Sequence, residues 1–215
     1  MQLQHNGGTQ VSRRGLMPPY VVLHDFLDEA TVTSLLAYTV SHQSDFAPTQ
    51  VRTGLNPTAR LSKGLRKLGG YREILTDKIL GLVPRLVAEL RANPVAAPTV
   101  ELELVAHGDG AFYKRHIDTQ TGPETDIDPV RVLSGVYYFN SQPKTFTGGA
   151  LRLYAIGGDG EGSRADIEPV HNSLLVFPSW APHEVMPVEC PSKRFIDSRF
   201  AVNCWVRGGK HGVPI

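Results

Sequence analysis

The sequence has little cysteine, no long apolar segment and almost no net charge, and each shortage argues against a class of protein. Two cysteines in 215 residues, Cys190 and Cys204, form neither a disulfide framework nor a paired metal-binding motif. No segment approaches the run of about 18 apolar residues that a membrane-spanning helix needs. Lysine and arginine number 22 against 21 aspartates and glutamates, which gives no support to a large basic nucleic-acid surface. We therefore expect a cytoplasmic protein with two free thiols, no membrane association and no nucleic-acid partner.

The length predicts one domain, because 215 residues suffice for one large core and hardly for two. Residues 1–17 are polar and contain glycine, which predicts a flexible N-terminal arm. Residues 18–215 then form a single domain, with a helical part over about 18–95 and a strand-rich core over about 96–208. Oligomeric state stays open at this level.

Two helical patterns stand in the first half of the chain. One begins after Asp28, a helix-capping residue, and repeats apolar residues at the spacing of one helical face. The other runs from about Tyr71 to Arg91, where Gly81 and Pro84 predict a kink or a break.

Between the two helices lies a polar stretch, Ser41 to Gly70, that is long for a connection in a compact domain. It is either disordered or a flap over the substrate. On the second interpretation four of its residues are expected to contact the substrate: Arg52, Asn56, Arg60 and Arg66.

The second half predicts short strands separated by turn residues, and hence a sandwich or barrel of the jelly-roll kind. We expect a mainly β fold, a double-stranded β-helix (jelly roll) core with the N-terminal helices packed on one face. The predicted strands lie around residues 100–104, 132–139, 151–154, 174–177, 185–188 and 200–206.

Three positions suggest a metal centre. His116 and Asp118 are two residues apart on a predicted strand, so their side chains share a face. A His-x-Asp pair alone occurs often by chance, but His183 follows a buried strand and a proline-rich turn about 65 residues on. Two imidazoles and one carboxylate leave metal positions open, as Fe(II) oxygenases require, whereas a structural zinc site is closed by four protein ligands.

A polar pocket is predicted on the last strand, where Arg199, Asn203 and Trp205 share a face. A guanidinium there can bind a carboxylate through two parallel hydrogen bonds. Gly148-Gly149 indicates a turn or bulge and not a phosphate loop, because no helix follows it.

From about Leu104 to Arg207 the chain resembles the 2-oxoglutarate and Fe(II)-dependent oxygenases, in particular the prolyl 4-hydroxylase-like branch. Five ordered motifs carry the resemblance: Tyr113-x-x-His116-x-Asp118, Val136-Tyr137-Tyr138-Phe139-Asn140, Gly148-Gly149-x-Leu151-Arg152, His183-Glu184-Val185-x-Pro187 and Arg199-x-Ala201-x-x-x-Trp205.

The resemblance implies an oxidoreductase, a dioxygenase that hydroxylates an unactivated C–H bond and releases succinate and carbon dioxide. Its cofactors would be Fe(II), 2-oxoglutarate as co-substrate and dioxygen, with ascorbate as a candidate reductant. His116, Asp118 and His183 would bind the iron. The co-substrate would contact five residues: Arg199, Tyr138, Tyr113, Asn203 and Trp205.

Two departures from the family pattern bear on the co-substrate. The spacing from His183 to Arg199 is longer than usual, which makes Arg194 a rival for the carboxylate role. Arg199 is preferred, because its distance to Trp205 fits the family. The tyrosine usual a few residues before the Tyr113 position is not evident; Ala106-His107 stands there, and we interpret His107 as an exposed or loop histidine.

The substrate remains open between a residue on a peptide or protein, such as proline, and a free amino acid or other small metabolite. Desaturation and cyclisation are also open, because the same chemistry serves them. An alternative of another class is a cupin-like metal-binding jelly roll without 2-oxoglutarate chemistry, which would not require Arg199 and Tyr138.

Overall fold

The computed structural model describes residues 15–51, 54–119, 130–157 and 163–208. Helix α1 spans Glu29–Ser41 and begins at Asp28, whose carboxylate accepts a hydrogen bond from the Thr31 N–H at 2.9 Å. Helix α2 spans Tyr71–Glu89 without interruption. None of the helices in the described ranges is long and apolar enough to cross a membrane.

Of the kink or break predicted in the second helix, the break is wrong, because α2 is continuous. Pro84 lies inside α2, and Gly81 is exposed, with nothing from the described residues outside the helix backbone within 4 Å of an added Cβ. The face of α2 that carries Leu75, Ile79 and Val83 is buried, and each such side chain contributes about 1.5–3 kcal/mol. That packing offsets the hydrogen bond that proline removes.

Within the described residues the strands form two main antiparallel sheets. The larger one has seven strands, in the spatial order β1 (Val21–Leu23), β11 (Ser173–Pro178), β7 (Val130–Phe139), β14 (Arg199–Gly208), β5 (Thr99–His107), β4 (Lys63–Leu65) and β2 (Ala47–Pro48). The smaller one has five, in the order β10 (Arg164–Ile167), β9 (Leu151–Tyr154), β12 (His183–Val185), β6 (Phe112–His116) and β3 (Arg60–Leu61).

Four short elements complete the described fold. A two-stranded ribbon pairs β8 with β13, and two 3-10 turns lie at chain connections. Their bounds are Thr147–Gly148 for β8, Val188–Glu189 for β13, and Gln43–Asp45 and Phe195–Asp197 for the turns.

The core has two layers, one on each face of the larger sheet. Strand β14 shows how the sequence produces them, since alternate side chains point to opposite faces. Phe200, Val202 and Cys204 join the cluster between this sheet and the helices. Ala201 joins the cluster between the two sheets. The expected mainly β fold with helices on one face is confirmed.

The N-terminal half contributes more strand than its sequence indicates. Strand β1 lies at one edge of the larger sheet, and strands β2, β3 and β4 all fall within the stretch Ser41 to Gly70. The part of that stretch that the structure describes is therefore folded onto the sheets. Of the predicted N-terminal arm, residues 1–14 lie outside the described residues, whereas Leu16 pairs with Ile156. The division of the chain into an arm and one domain stays a prediction.

Candidate active site

The three predicted metal ligands meet at one end of the smaller sheet. His116 ends β6, His183 begins β12, and the two residues are direct partners across these antiparallel strands. Asp118 lies just beyond β6, where its backbone N–H donates to the carbonyl oxygen of Ser179 at 3.0 Å. The ends of β6 and β12, together with the hydrogen bond from Asp118 to Ser179, bring the three side chains together.

The ligand atoms lie close enough to hold one metal ion. The carboxylate of Asp118 is 3.8 Å from Nε2 of His116 and 3.6 Å from Nε2 of His183. One donor atom from each residue falls within 4.8 Å of the other two. The set consists of two imidazole nitrogens and one carboxylate, a donor set that suits Fe(II) with open positions.

Backbone carbonyls fix the orientation of both imidazoles. Nδ1–H of His116 donates to the carbonyl of Lys114 at 2.8 Å, and Nδ1–H of His183 donates to that of Ala181 at 2.9 Å. The protonated nitrogen then faces the backbone, and the lone pair of Nε2 faces the centre. Tyr113 stacks on the His116 ring, with centroids 3.6 Å apart, and limits its rotation.

The electrostatics keep His116 and Asp118 in the form that a metal needs. Burial, together with nearby His183, lowers the pKa of His116 to about 3, so its ring is neutral at neutral pH. Burial alone would raise the pKa of Asp118. The two histidines, with hydrogen bonds from Ser134 and Trp205, outweigh burial and hold that pKa below its usual value. A neutral imidazole and an ionised carboxylate are the metal-binding forms.

Ser134 supports the carboxylate and was missed in the sequence. Its hydroxyl donates to Asp118 at 2.6 Å and lies 2.9 Å from the Ser179 hydroxyl. A signal was present, because Ser134, Val136 and Tyr138 share one face of a strand that is otherwise apolar.

A cavity of about 610 Å³ extends from the three ligands into the space between the sheets. Arg199 lines its inner part and is almost fully buried. Nε of Arg199 donates to the carbonyl oxygen of Gly149 at 2.8 Å, whereas Nη2 has no hydrogen-bond partner among the described residues. A buried guanidinium with an unused donor fits a carboxylate that the protein itself does not supply.

Gly149 is shaped to receive this arginine. Its φ of +70° lies in the left-handed region, and an added Cβ would lie 2.6 Å from Cδ of Arg199. Gly148 ends β8 and Gly149 follows it, both at positive φ, and the next element is strand β9 and not a helix.

Tyr138 is buried beside the arginine. The Arg199 guanidinium carbon lies 4.8 Å from the centroid of the Tyr138 ring. The Tyr138 hydroxyl has no hydrogen-bond partner in the described part of the chain, and burial raises its pKa to about 12. The hydroxyl therefore keeps its proton and remains a donor, although Tyr138 does not itself line the cavity.

The rival arginine is elsewhere. Arg194 lies on the surface, where Nε and Nη2 donate to the two carboxylate oxygens of Asp197 at 2.8 and 3.1 Å. The other predicted co-substrate contacts, Tyr113, Asn203 and Trp205, all line the cavity.

His107 is the correction with most bearing on the site. It was expected to be an exposed or loop histidine, yet it ends β5, is only 3% exposed and lines the cavity. Its Nδ1 lies 3.3 Å from Nη1 of Arg199, and its Nε2 has no partner among the described residues. The error arose because Gly108 and Asp109 follow it and indicate a loop.

Two of the four predicted substrate contacts line the cavity. Arg60 and Arg66 line the cavity, Arg60 as a buried partner of Glu103 at 3.2 Å and Arg66 as an exposed residue at the mouth. Asn56 is not part of the lining; its side chain accepts hydrogen bonds from Thr58. Arg52 lies outside the described residues.

Two ion pairs and the apolar side chain of Ile117 also line the cavity. Arg131 donates to Glu101 at 2.9 Å and stacks over the ring of Trp205 at 3.8 Å, while Arg60 pairs with Glu103. Ile117, next to two of the ligands, lines the cavity and is 40% exposed.

Comparisons with known proteins agree with this geometry. Residues 102–207 match the family model of the 2OG-Fe(II) oxygenase superfamily. The chain is 37% identical over 151 residues to an uncharacterized PKHD-type hydroxylase of Synechocystis sp.. That alignment covers 66% of this chain and 47% of the relative, so the chain spans about half the length of the curated relative.

Two solved structures share the fold. A Pseudomonas putida prolyl-4-hydroxylase matches with a TM-score of 0.63 and 24% identity, over 88% of this chain and 92% of that one. A prolyl hydroxylase of Trichoplax adhaerens, in complex with a hypoxia inducible factor peptide fragment, matches with a TM-score of 0.65 and 22% identity, over 88% and 84%. The predicted jelly-roll fold is confirmed.

Proposed function

Because this chain belongs to the 2OG-Fe(II) oxygenase superfamily, we propose that it is a dioxygenase that hydroxylates an unactivated C–H bond of its substrate. The reaction consumes dioxygen and 2-oxoglutarate and uses Fe(II) as its cofactor. Succinate and carbon dioxide are the co-products. The observation that carries this proposal is the buried Arg199, which lines the same cavity as the three metal ligands and has an unused donor at Nη2.

We assign the iron to His116, Asp118 and His183. The donor set supports the assignment, since two imidazoles and one carboxylate suit Fe(II) and leave positions open for other ligands. The carbonyl groups that accept from each Nδ1–H hold both Nε2 lone pairs toward the centre. Ser134 holds the carboxylate in place and helps to keep it ionised.

We assign the far carboxylate of 2-oxoglutarate to Arg199, with the Tyr138 hydroxyl as a second donor. Both groups are buried and have unused donor atoms, and Tyr138 keeps its proton at neutral pH. Hydrogen bonds to charged groups contribute about 1.5–3 kcal/mol each, so a buried arginine is expected to dominate co-substrate affinity. A cupin-like protein without this chemistry would have no use for these donors.

When bound, iron and 2-oxoglutarate would supply the oxidation of the C–H bond by dioxygen, and the protein positions the reacting groups. Tyr113 and the paired strands keep His116 and His183 in one orientation. Arg199 is itself buried, and burial strengthens its interaction with a carboxylate.

For the substrate, we favour an aliphatic residue of a peptide or protein, such as proline. Ile117 offers an exposed apolar contact beside the metal centre, and Arg66 lies at the mouth, where a chain could cross. The Trichoplax adhaerens neighbour was solved with a peptide, which supports the same choice.

A free amino acid or small metabolite is the second candidate. The cavity volume of about 610 Å³ lies in the range of small-molecule pockets, roughly 300–1,000 Å³. The ion pairs Arg60–Glu103 and Arg131–Glu101 also offer both charges to a zwitterion at the mouth.

The test is coupled turnover by the purified protein with Fe(II), 2-oxoglutarate and oxygen, with and without ascorbate. Proline-containing peptides and a panel of free amino acids are offered separately, and succinate and the mass gain of one oxygen atom are measured. We expect oxygen incorporation into a peptide, and none with His116→Ala. Incorporation only into free amino acids would replace the peptide proposal by the second candidate.

We also propose a cytoplasmic location. Both cysteines are free and buried, which fits a reducing compartment. Fractionation of cells that express the tagged protein tests this, and recovery in a secreted or membrane fraction would contradict it.

A further inference from the structure

His107 and Arg199 lie opposite each other on β5 and β14, which are neighbouring strands of the larger sheet. They are direct partners in the antiparallel pairing of β5 with β14, so their side chains leave the sheet side by side. Both are at least 97% buried, and both line the cavity that contains the metal ligands. Each has one nitrogen without a partner among the described residues: Nε2 of His107 and Nη2 of Arg199.

The contact between them determines where the proton of His107 resides. Nη1 of Arg199 lies 3.3 Å from Nδ1 of His107, and a guanidinium can only donate. Nδ1 must therefore accept, which leaves the single proton of the neutral ring on Nε2. Burial and the positive charges of Arg199 and Arg60 hold the pKa of His107 well below its usual range, consistent with a neutral ring. Nε2–H is then a buried donor with no acceptor from the described part of the protein.

We propose that His107 binds the far carboxylate of the 2-oxo dicarboxylate co-substrate directly, its Nε2–H and the Nη2–H of Arg199 forming two neighbouring donors. This rests on the proposed function, because it adds a ligand-binding residue to the same pocket. A neutral donor stabilises the carboxylate without adding a second positive charge beside Arg199. It also gives the unused Nε2–H the acceptor that a buried polar group requires.

The competing interpretation is that His107 only positions Arg199. Two substitutions separate the two roles. His107→Asn can keep an acceptor near the Nδ1 position but provides no donor near Nε2. His107→Gln reaches farther and can place an amide N–H near the Nε2 position, while it loses the Nδ1 acceptor.

The experiment measures calorimetric affinities of Mn(II)-loaded wild type, His107→Asn and His107→Gln, without turnover. The probes are 2-oxoglutarate and 2-oxopentanoate, which has the same chain length and lacks the far carboxylate. We expect His107→Asn to lose about 10- to 100-fold in affinity for 2-oxoglutarate, as for one hydrogen bond to a charged group, and little for 2-oxopentanoate. His107→Gln should lose less of this preference for the diacid than His107→Asn does.

The proposal would be overturned if His107→Asn kept the preference for 2-oxoglutarate over 2-oxopentanoate as well as His107→Gln does, or better. His107 would then be a positioning residue for Arg199. An equal loss for both keto acids would also overturn it. Absence of 2-oxoglutarate binding by the Mn(II)-loaded wild type is a separate result, which would contradict the proposed function itself. Thermal melting of each metal-free variant confirms that the protein compared is folded.

Discussion

Gly149 offers a test of how the protein holds the carboxylate-binding arginine. In Gly149→Ala, the new Cβ would lie 2.6 Å from Cδ and 3.1 Å from Nε of Arg199, and 2.9 Å from Cγ2 of Val188. The position also has a φ of +70°, which costs an alanine roughly 1–2 kcal/mol. Crowding in a packed site adds about 1–3 kcal/mol, so we expect a total loss of stability of about 2–5 kcal/mol.

Gly157→Ala is the matched control, because Gly157 has the same φ of +70° and no heavy atom of the described residues lies within 4 Å of the added Cβ. It carries the backbone strain without the clash. Only Gly149→Ala should displace the Arg199 side chain, whose Nε donates to the Gly149 carbonyl. We expect 2-oxoglutarate affinity to fall about 10- to 100-fold in Gly149→Ala, the equivalent of about 1.5–3 kcal/mol, and to stay unchanged in Gly157→Ala.

Urea unfolding measures the stabilities, and calorimetric titration of the Mn(II)-loaded proteins measures the affinities. Equal stability losses and equal affinities in the two alanine variants would refute the reasoning, since they would mean that the approach of Gly149 to Arg199 has no energetic consequence.

Three further results are expected. Ser134→Ala should weaken Mn(II) binding about tenfold, because it removes the hydrogen bond that holds the Asp118 carboxylate. The control Ser173→Ala loses a hydrogen bond to a backbone carbonyl away from the site and should leave Mn(II) affinity unchanged. Equal Mn(II) affinities of the two variants would contradict the role of Ser134. Arg194→Ala should bind 2-oxoglutarate as wild type does, because that side chain is on the surface, and a loss comparable to that of Arg199→Ala would reverse the assignment. The pKa of His107 in the folded protein lies well below its usual value, so below pH about 6.5 the unfolded chain takes up a proton that the folded protein does not. The free energy of unfolding should therefore fall with decreasing pH, by up to about 1.4 kcal/mol per pH unit more steeply than in His107→Gln. Parallel pH profiles of the two proteins in urea unfolding would contradict the buried neutral ring.

The metal ligands could be predicted from the sequence because local rules place them. His116 and Asp118 are two residues apart near a strand end, and His183 follows a buried strand and a turn. The family resemblance added Arg199 and its distance to Trp205. These inferences need only the period of a strand and the order of the motifs.

The place of His107 in the pocket could not be predicted from the sequence, because it depends on pairing between distant strands. His107 reaches the pocket because β5 pairs with β14 in a register that sets it opposite Arg199, 92 residues away in the chain. A shift of one residue would send the same side chain to the other face. No local pattern around His107 encodes that register, and the Gly and Asp after it indicated a loop.

Two errors in the first half have a related cause. Strands β2 and β3 are two residues long each, too short for any period to appear in the sequence, yet they pair with β4 and β6 at the sheet edges. In α2, the packing of Leu75 and Ile79 in the core keeps the helix continuous through Pro84.

The central claim, that this cavity holds iron and 2-oxoglutarate together, is tested most directly by anaerobic titration with Fe(II) and then 2-oxoglutarate, followed by visible absorption. We expect a metal-to-ligand charge-transfer band in the wild type, no band in His116→Ala, and a weakened band in Arg199→Ala at the same concentrations. A protein that binds the metal and shows no band at any 2-oxoglutarate concentration would contradict the account.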